Sequence, residues 1–314
     1  MGPPTKSLAV GIDLGGTRFR IALLHPGGRI VRRRTGATGP GRRPEDVIDE
    51  LIGAVRTELA RSKGTASCVG IGVAAQVDRA GRIRLAPNLG WREVPLVGPF
   101  AEAFRVPVVA LNDVRAATVG EWRRGAGRGE RDLVTLFIGT GLGGGVVSDG
   151  HLLTGASNSA GELGHLTLVE GGRRCTCSRA GCLEAYVSGW AIEARAREAY
   201  AVRPAPRGRA PPVSASEVIH AGIAGDPVAH QLLEETIDHL SAGLVGIANA
   251  FNPRLVIGGG GVVEGYPPLL TEAVRRARPF MLPTAGEVLE YRPASLGEFA
   301  VALGAATVAA EALP

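Results

Sequence analysis

The chain has 314 residues, 45% of them hydrophobic and 21% charged, which are the proportions of a globular protein and exclude a mainly disordered one. The length corresponds to about two domains. Aromatic residues are only 4%, which argues against a nucleic-acid surface built on base stacking. The net charge of +5 rests on arginine, because only Lys6 and Lys63 are lysines. With so much glycine and alanine this reads as coding bias, and the clusters Arg32, Arg33, Arg34 and Arg42, Arg43 read as solvated surface. A mildly basic surface still attracts phosphorylated ligands.

In chain order, residues 8–13 form a buried-strand pattern ending at Asp13. Gly15, Gly16 and Thr17 follow, and residues 18–24 then alternate apolar and charged positions, so the three segments predict a hairpin. A third, short strand is predicted over 29–34. Residues 44–60 carry Val47, Ile48, Leu51, Ile52, Val55 and Leu59 at the spacing of one helix face, with Pro44 in the first turn and Glu45 and Asp46 at its positive end. Strands over 69–73 and 106–111 place Asn112 and Asp113 at the carboxyl end of a strand, before a helix over 114–124.

The opening pattern then returns. Residues 133–138 form a strand, Gly139-Thr140-Gly141-Leu142-Gly143-Gly144-Gly145 a glycine turn, and Val146-Val147 extended chain; two such hairpins predict a structural duplication. A third glycine stretch, Gly258 to Gly261, follows Leu255-Val256-Ile257. Residues 201–212 read as an exposed loop, and 214–222 and 227–249 as helices. In the tail, Leu296, Phe299, Leu303, Ala306 and Ala310 share one stripe and predict a final amphipathic helix.

The apolar run before Asp13 is too short for a signal peptide. The longest uncharged stretch, 133–148, is broken by five glycines and is too short to span a membrane. Three of the four cysteines, Cys175, Cys177 and Cys182, crowd into eight residues, which no disulfide framework requires. The expectation is a reduced, cytoplasmic protein, with Cys68 a buried small residue.

Three constellations carry chemistry. Glycines let backbone N–H groups approach phosphate oxygens, and Thr17 and Thr140 add hydroxyl donors, so Gly15, Gly16, Gly141 and Gly143 suit a nucleotide's phosphates, with Asp13 placed for Mg²⁺. Neither turn ends in Gly-Lys-Ser/Thr, which excludes a P-loop, and Gly15-Gly16 leads into a strand, which excludes a dinucleotide fingerprint. Two such turns fit ATP better. Asp113 can accept the proton of an attacking hydroxyl or cap the following helix, and the two roles are compatible; Asn112 can orient a polyol. His165, Cys175, Cys177 and Cys182 supply a closed Cys₃His shell for structural zinc, the alternative being free thiols. Glu162 and Glu184 flank the cluster, and carboxylates are good acceptors for sugar hydroxyls.

The ordered set Asp13-x-Gly15-Gly16-Thr17, Ala86-Pro87-Asn88-Leu89-Gly90-Trp91, Asn112-Asp113, Gly139-Thr140-Gly141-x-Gly143-Gly144-Gly145, Glu162-x-Gly164-His165, Cys175-x-Cys177 with Gly181-Cys182-x-Glu184, and Val256-Ile257-Gly258-Gly259-Gly260 resembles the ROK family of sugar kinases and repressors, most closely its bacterial glucokinases. The resemblance runs from about residue 8 to the end. It implies an α/β protein of the actin-like, ribonuclease-H-like ATPase fold, with two α/β domains around a cleft: a small one over 1–112 plus 297–314, and a large one over 113–296 carrying the zinc loop. It implies ATP-dependent phosphorylation of the 6-hydroxyl of glucose, with N-acetylmannosamine, N-acetylglucosamine or fructose as alternative acceptors and a non-catalytic sugar sensor as the other branch. Asp113 would be the base; Asn112, Glu162, His165 and Glu184 would hold the sugar; Gly258, Gly259 and Gly260 would lie near adenosine. His165 would also bind zinc with the three cysteines, and a homodimer is implied, with no nucleic-acid or membrane partner.

The sequence departs from the family pattern at four places. Ala74-Ala75-Gln76 stands where Pro-Gly or Ala-Gly is usual, Val114-Arg115 where Ala-Asn is usual, Ser178 where glycine is usual, and Arg18 where lysine is frequent. The repressor branch carries an N-terminal winged helix-turn-helix, and the seven residues before the first strand leave no room for one, so a kinase is expected.

Overall fold

The computed structural model describes residues 6–39, 41–203 and 210–313. It divides into two compact units, one of Met1–Gly129, Leu152–Ala160 and Ser295–Pro314, the other of Glu130–His151 and Gly161–Ala294.

In the first unit, strand β1 (Lys6–Leu14) pairs antiparallel with β2 (Arg18–Leu24), and β2 with β3 (Ile30–Ala37). Helix α1 (Pro44–Arg61) crosses to β4 (Gly64–Val73), which lies parallel to β1. A small antiparallel sheet follows: β5 (Gln76–Val77), β6 (Arg82–Ala86) and β7 (Trp91–Pro95). Helix α2 (Val97–Phe104) then leads into β8 (Val108–Asn112), parallel to β4, and into α3 (Asp113–Arg124). The main sheet order is β3-β2-β1-β4-β8. Strands of two to five residues are too short to show an alternation, which is why the small sheet escapes the sequence pattern.

Period-two alternation sorts the faces of β1. Leu8, Val10 and Ile12 pack with Val47, Leu51 and Val55 of α1, while Ala9 packs with Ala302, Leu303 and Ala306 of the C-terminal helix; Cys68 is buried on that second face, as expected. The clusters at Arg32–Arg34 and Arg42-Arg43 are more than solvated surface. Arg32 and Arg34 reach the buried Glu58 carboxylate at 2.6 and 3.8 Å and latch the sheet to α1, while Arg42 pairs with Glu50 at 2.6 Å.

The second unit repeats the plan. Strand β9 (Leu133–Ile138) pairs antiparallel with β10 (Leu142–Ser148), and the edge strand β11 (His151–Leu152) follows. Helices α4 (Glu184–Val187), α5 (Gly189–Val202), α6 (Ala215–Ile223) and α7 (Pro227–Phe251) lead to β12 (Leu255–Gly259), parallel to β9. Short helices α8 (Gly261–Gly265), α9 (Pro268–Ala277) and α10 (Pro283–Val288) precede β13 (Glu290–Pro293), parallel to β12. The order β11-β10-β9-β12-β13 matches the first sheet strand for strand, so the duplication expected from the two glycine hairpins is present. Of the loop expected over 201–212, Ala201 and Val202 end α5, and residues 204–209 lie outside the described residues. Among the described residues no helix is long and apolar enough to cross a membrane.

Helix α11 (Ala300–Glu311) returns to the first unit. The sequence stripe predicts an amphipathic helix; the structure buries it almost all round, with Ala309 inside and Ala310 outside. It is packed between the sheet and α3, so it keeps no broad polar face. Close approach demands glycine at the crossings: a Cβ on Gly11 or Gly70 would collide with the carbonyls of Ala302 and Ala305, and one on Gly304 with that of Ala116.

Candidate active site

Three carboxyl-terminal strand ends of the first sheet bring Asp13, Gly72 and Asn112-Asp113 side by side. Asp13 is paired in register with Gly72, and the α-carbon of Asp113 lies 3.7 Å from where a Cβ on Gly72 would be. Asn112 caps α3: its Oδ1 accepts the Arg115 N–H at 3.1 Å, and its Nδ2 reaches the Ala75 carbonyl at 3.4 Å. Asp113 is the first helical residue, its Oδ1 accepting the Val114 N–H at 2.9 Å, so the cap role falls to Asn112. Burial, then the neighbouring Asp113 carboxylate, pushes Asp13 up to about 7, against the lowering pull of Arg20 at 3.0 Å. The first glycine turn is closed by the Gly15 N–H donating to the Arg18 carbonyl at 3.0 Å; Thr17 is exposed beside it. The turn of Ala86-Pro87-Asn88 covers Gly16 so tightly that a Cβ there would stand 2.6 Å from the Asn88 carbonyl.

In the second unit the other glycine turn leans on the N-terminus of α5. The Gly189 and Trp190 N–H groups donate to the Gly139 and Thr140 carbonyls at 2.8 and 3.2 Å, leaving the Thr140 side chain exposed. Buried Glu184 ties this turn to the cysteine loop. Its Oε2 accepts the Leu142 N–H at 2.9 Å, close beside Gly141, while its Oε1 accepts the Thr176 hydroxyl at 3.0 Å and the Trp190 indole N–H at 3.4 Å.

His165 stands at the end of a one-turn 3₁₀ helix, Leu163–His165, which Glu162 precedes. The ligand atoms of His165, Cys175, Cys177 and Cys182 all lie within 4.8 Å of one another, with Cys175 Sγ 3.7 Å from His165 Nδ1 and Cys177 Sγ 3.6 Å from Cys182 Sγ. A tetrahedral ion with bonds of about 2.0–2.3 Å separates its ligands by roughly 3.4–3.8 Å, so these residues fit zinc. Burial pushes the Cys175 thiol up to about 12, and a bound cation is what would hold it as a thiolate.

A cavity of about 300 Å³ opens beside the second turn, lined by Gly139, Thr140, Trp190, Glu193, Ser214 and Gly261 among others. Gly260, at φ +89°, starts α8 at its edge, whereas Gly258 and Gly259 are buried under Leu270 and Phe137. Sequence reasoning misses Trp190, Glu193 and Ser214. No glycine or cysteine marks them; their signal is a helix N-terminus, Ser188 capping α5 and the Ser214–Glu217 capping box opening α6.

The sequence pattern of the ROK family matches residues 9–312. The chain belongs to the ROK family. A glucokinase from Thermotoga maritima is 35% identical over 314 residues, covering 98% of both chains. A ROK hexokinase structure from Thermus thermophilus superposes with a TM-score of 0.83 at 35% identity, covering 96% of this chain and 97% of that one. A ROK glucokinase from Streptomyces griseus, in complex with glucose and AMPPNP, does so at 0.79 and 32%, covering 97% and 100%. The xylose repressor of Bacillus subtilis is 28% identical over 303 residues, covering 96% of this chain and 76% of its own length. These ROK structures give this chain the actin-like ATPase fold of two domains, as its sequence motifs imply.

Proposed function

We propose that this protein transfers the γ-phosphoryl group of ATP to the 6-hydroxyl of glucose. That it is an ATP-dependent sugar kinase follows from its full-length likeness to ROK glucokinases and a ROK hexokinase; glucose as acceptor and the residue roles are proposed. The observation that carries it is the carboxylate pair at the strand ends, Asp113 beside Asp13, next to a glycine turn.

Asp113 takes the proton of the 6-hydroxyl, the hydroxyl oxygen forms its bond to the γ-phosphorus, and the bridging β–γ P–O bond breaks to release ADP. Asn112 orients the sugar through its carboxamide. The Glu162 and Glu184 carboxylates accept from sugar hydroxyls, and the ring nitrogen of His165 turned away from the cysteines accepts from or donates to another. Gly15, Gly16 and Thr17 of one turn and Thr140, Gly141 and Gly143 of the other present N–H and hydroxyl donors to the phosphates. The 300 Å³ cavity takes the adenosine, with Gly261, next in the chain to Gly260, in its lining. Burial and the neighbouring Asp113 carboxylate disfavour the charged form of Asp13, a cost that a divalent cation would offset by favouring the carboxylate, and Mg²⁺ when bound neutralises phosphate charge. His165, Cys175, Cys177 and Cys182 would hold zinc as a closed structural shell.

Coupled ADP release measured over glucose, mannose, fructose, N-acetylglucosamine and N-acetylmannosamine, with ATP or polyphosphate as donor, tests the reading. Glucose with ATP should give the highest kcat/KM. Sugar binding by calorimetry with no turnover of any acceptor would place the protein with the sensors, to which the xylose repressor points.

A further inference from the structure

Where the family pattern carries asparagine, this chain places Arg115, and the structure buries it to 4% exposure two residues beyond Asp113 in the first turn of α3. Its backbone N–H is the donor that fixes Asn112 Oδ1. Its guanidinium Nη1 forks onto a single residue of the 152–160 loop, donating to the Asn158 carbonyl at 2.8 Å and to Asn158 Oδ1 at 2.9 Å. The same carboxamide continues outward: Asn158 Nδ2 donates to the Val77 carbonyl at 3.0 Å and lies 3.5 Å from that of Asp78. From the other side Arg79 Nη2 donates to the Gly155 carbonyl at 3.1 Å. Asn158 sits at φ +63°, a conformation asparagine tolerates better than most residues. The loop is therefore held by a relay from α3 through Asn158 to the β5–β6 hairpin.

We infer that Arg115 is a positioning residue for the acceptor: it clamps the 152–160 loop and thereby fixes the stretch of chain that runs directly into Glu162. The inference rests on the sugar-kinase reading for what the loop serves, and on this geometry alone for the clamp. The guanidinium is suited to the task because the two N–H groups of its Nη1 reach two oxygens of one residue, and its permanent charge strengthens both bonds. The relay runs outward from α3 to the loop and the hairpin, so its loss falls on sugar binding and spares the phosphoryl transfer step.

The experiment pairs steady-state kinetics with hydrogen–deuterium exchange on Arg115→Ala, Asn158→Gly and the double variant. Asn158→Gly removes the carboxamide while keeping the backbone at ease, and so remains informative if Arg115→Ala folds poorly. A hydrogen bond to a charged group corresponds to about a 10- to 100-fold effect. Each single variant should raise the sugar KM by at least about 10-fold with kcat and the ATP KM within about 2-fold, and the double variant should be no worse than Arg115→Ala. Exchange should rise in 152–160 and 76–82 and stay unchanged in α1. Additive effects, an equal loss in kcat, or unaltered exchange in 152–160 would overturn the clamp. Exchange decides it even for a wild type that turns over no sugar, in which case the kinase reading falls separately.

Discussion

The surroundings of Asp13 strongly alter its chemistry. It is 7% exposed and faces Asp113, and its carboxyl is pushed up to about 7. Because this folded-state value lies above the unfolded one, the native chain binds more protons between about pH 4 and 7. Stability therefore falls as pH rises through that window and levels off above it. Asp13→Asn should remove the dependence and raise stability at pH 8 by on the order of 2–4 kcal/mol, while lowering turnover; urea unfolding at pH 5 and pH 8 measures it. Asp113→Asn should keep the fold and sugar affinity but lower kcat by roughly 10²- to 10⁴-fold, read by coupled assay and calorimetry. Near-normal turnover in that variant would remove Asp113 from the mechanism. Both carboxylates are legible as strand-end residues because an apolar run leads into each, with a glycine turn following Asp13 and a helix pattern following Asp113. That they face one another is not, since it depends on β4 lying between β1 and β8, a pairing of residues far apart in the chain.

Among the elements, the cysteine loop is the most constrained. It has almost no apolar core of its own, and Ser178 is forced to φ +72° within it. The glycine usual in the family at this position has a physical reason, since a left-handed backbone costs a side-chain-bearing residue about 1–2 kcal/mol. Ser178→Gly should therefore slow metal loss to a chelator and stabilise the loop by about 1 kcal/mol. Metal analysis should find about one zinc per chain, and chelation should lower the melting temperature and loosen Glu184, which binds Thr176 of this loop and Leu142 of the glycine turn. A full complement of metal-free chains with unchanged melting would discard the zinc shell. Elements with strong local signals, such as α1, α7 and both hairpins, are legible because their periodicity or glycines are local. The small sheet, α5 and the cavity lining are not, because brief strands and capped helix starts declare themselves only through what they pack against.

At the scale of the whole chain, one backbone plan is used twice, and the C-terminal helix returns to finish the first copy. The repeated sheet order is visible in the two glycine hairpins, while the character of α11 is not, because a stripe in sequence does not reveal a second neighbour. Helix α11 meets the sheet at Gly11 and Gly70 and meets α3 at Gly304, and each of these glycines admits backbone where a methyl group would not fit. Helix α3 begins at Asn112 and Asp113, so the crossing that seats α11 also sets the rod that carries the proposed base. Gly304→Ala adds one carbon against the Ala116 carbonyl in a helix that otherwise favours alanine, so helix propensity alone would make the change stabilising by about 1 kcal/mol. Overpacking should prevail. We expect a net loss of about 1–3 kcal/mol and a fall in kcat as α3 is displaced. The control is Gly53→Ala in α1, where a Cβ meets nothing within 4 Å, so that variant should show the propensity gain alone. Denaturant unfolding of the two variants, with kcat measured on each, separates the terms; a stabilised, fully active Gly304→Ala protein would show that α11 does not bear on the site.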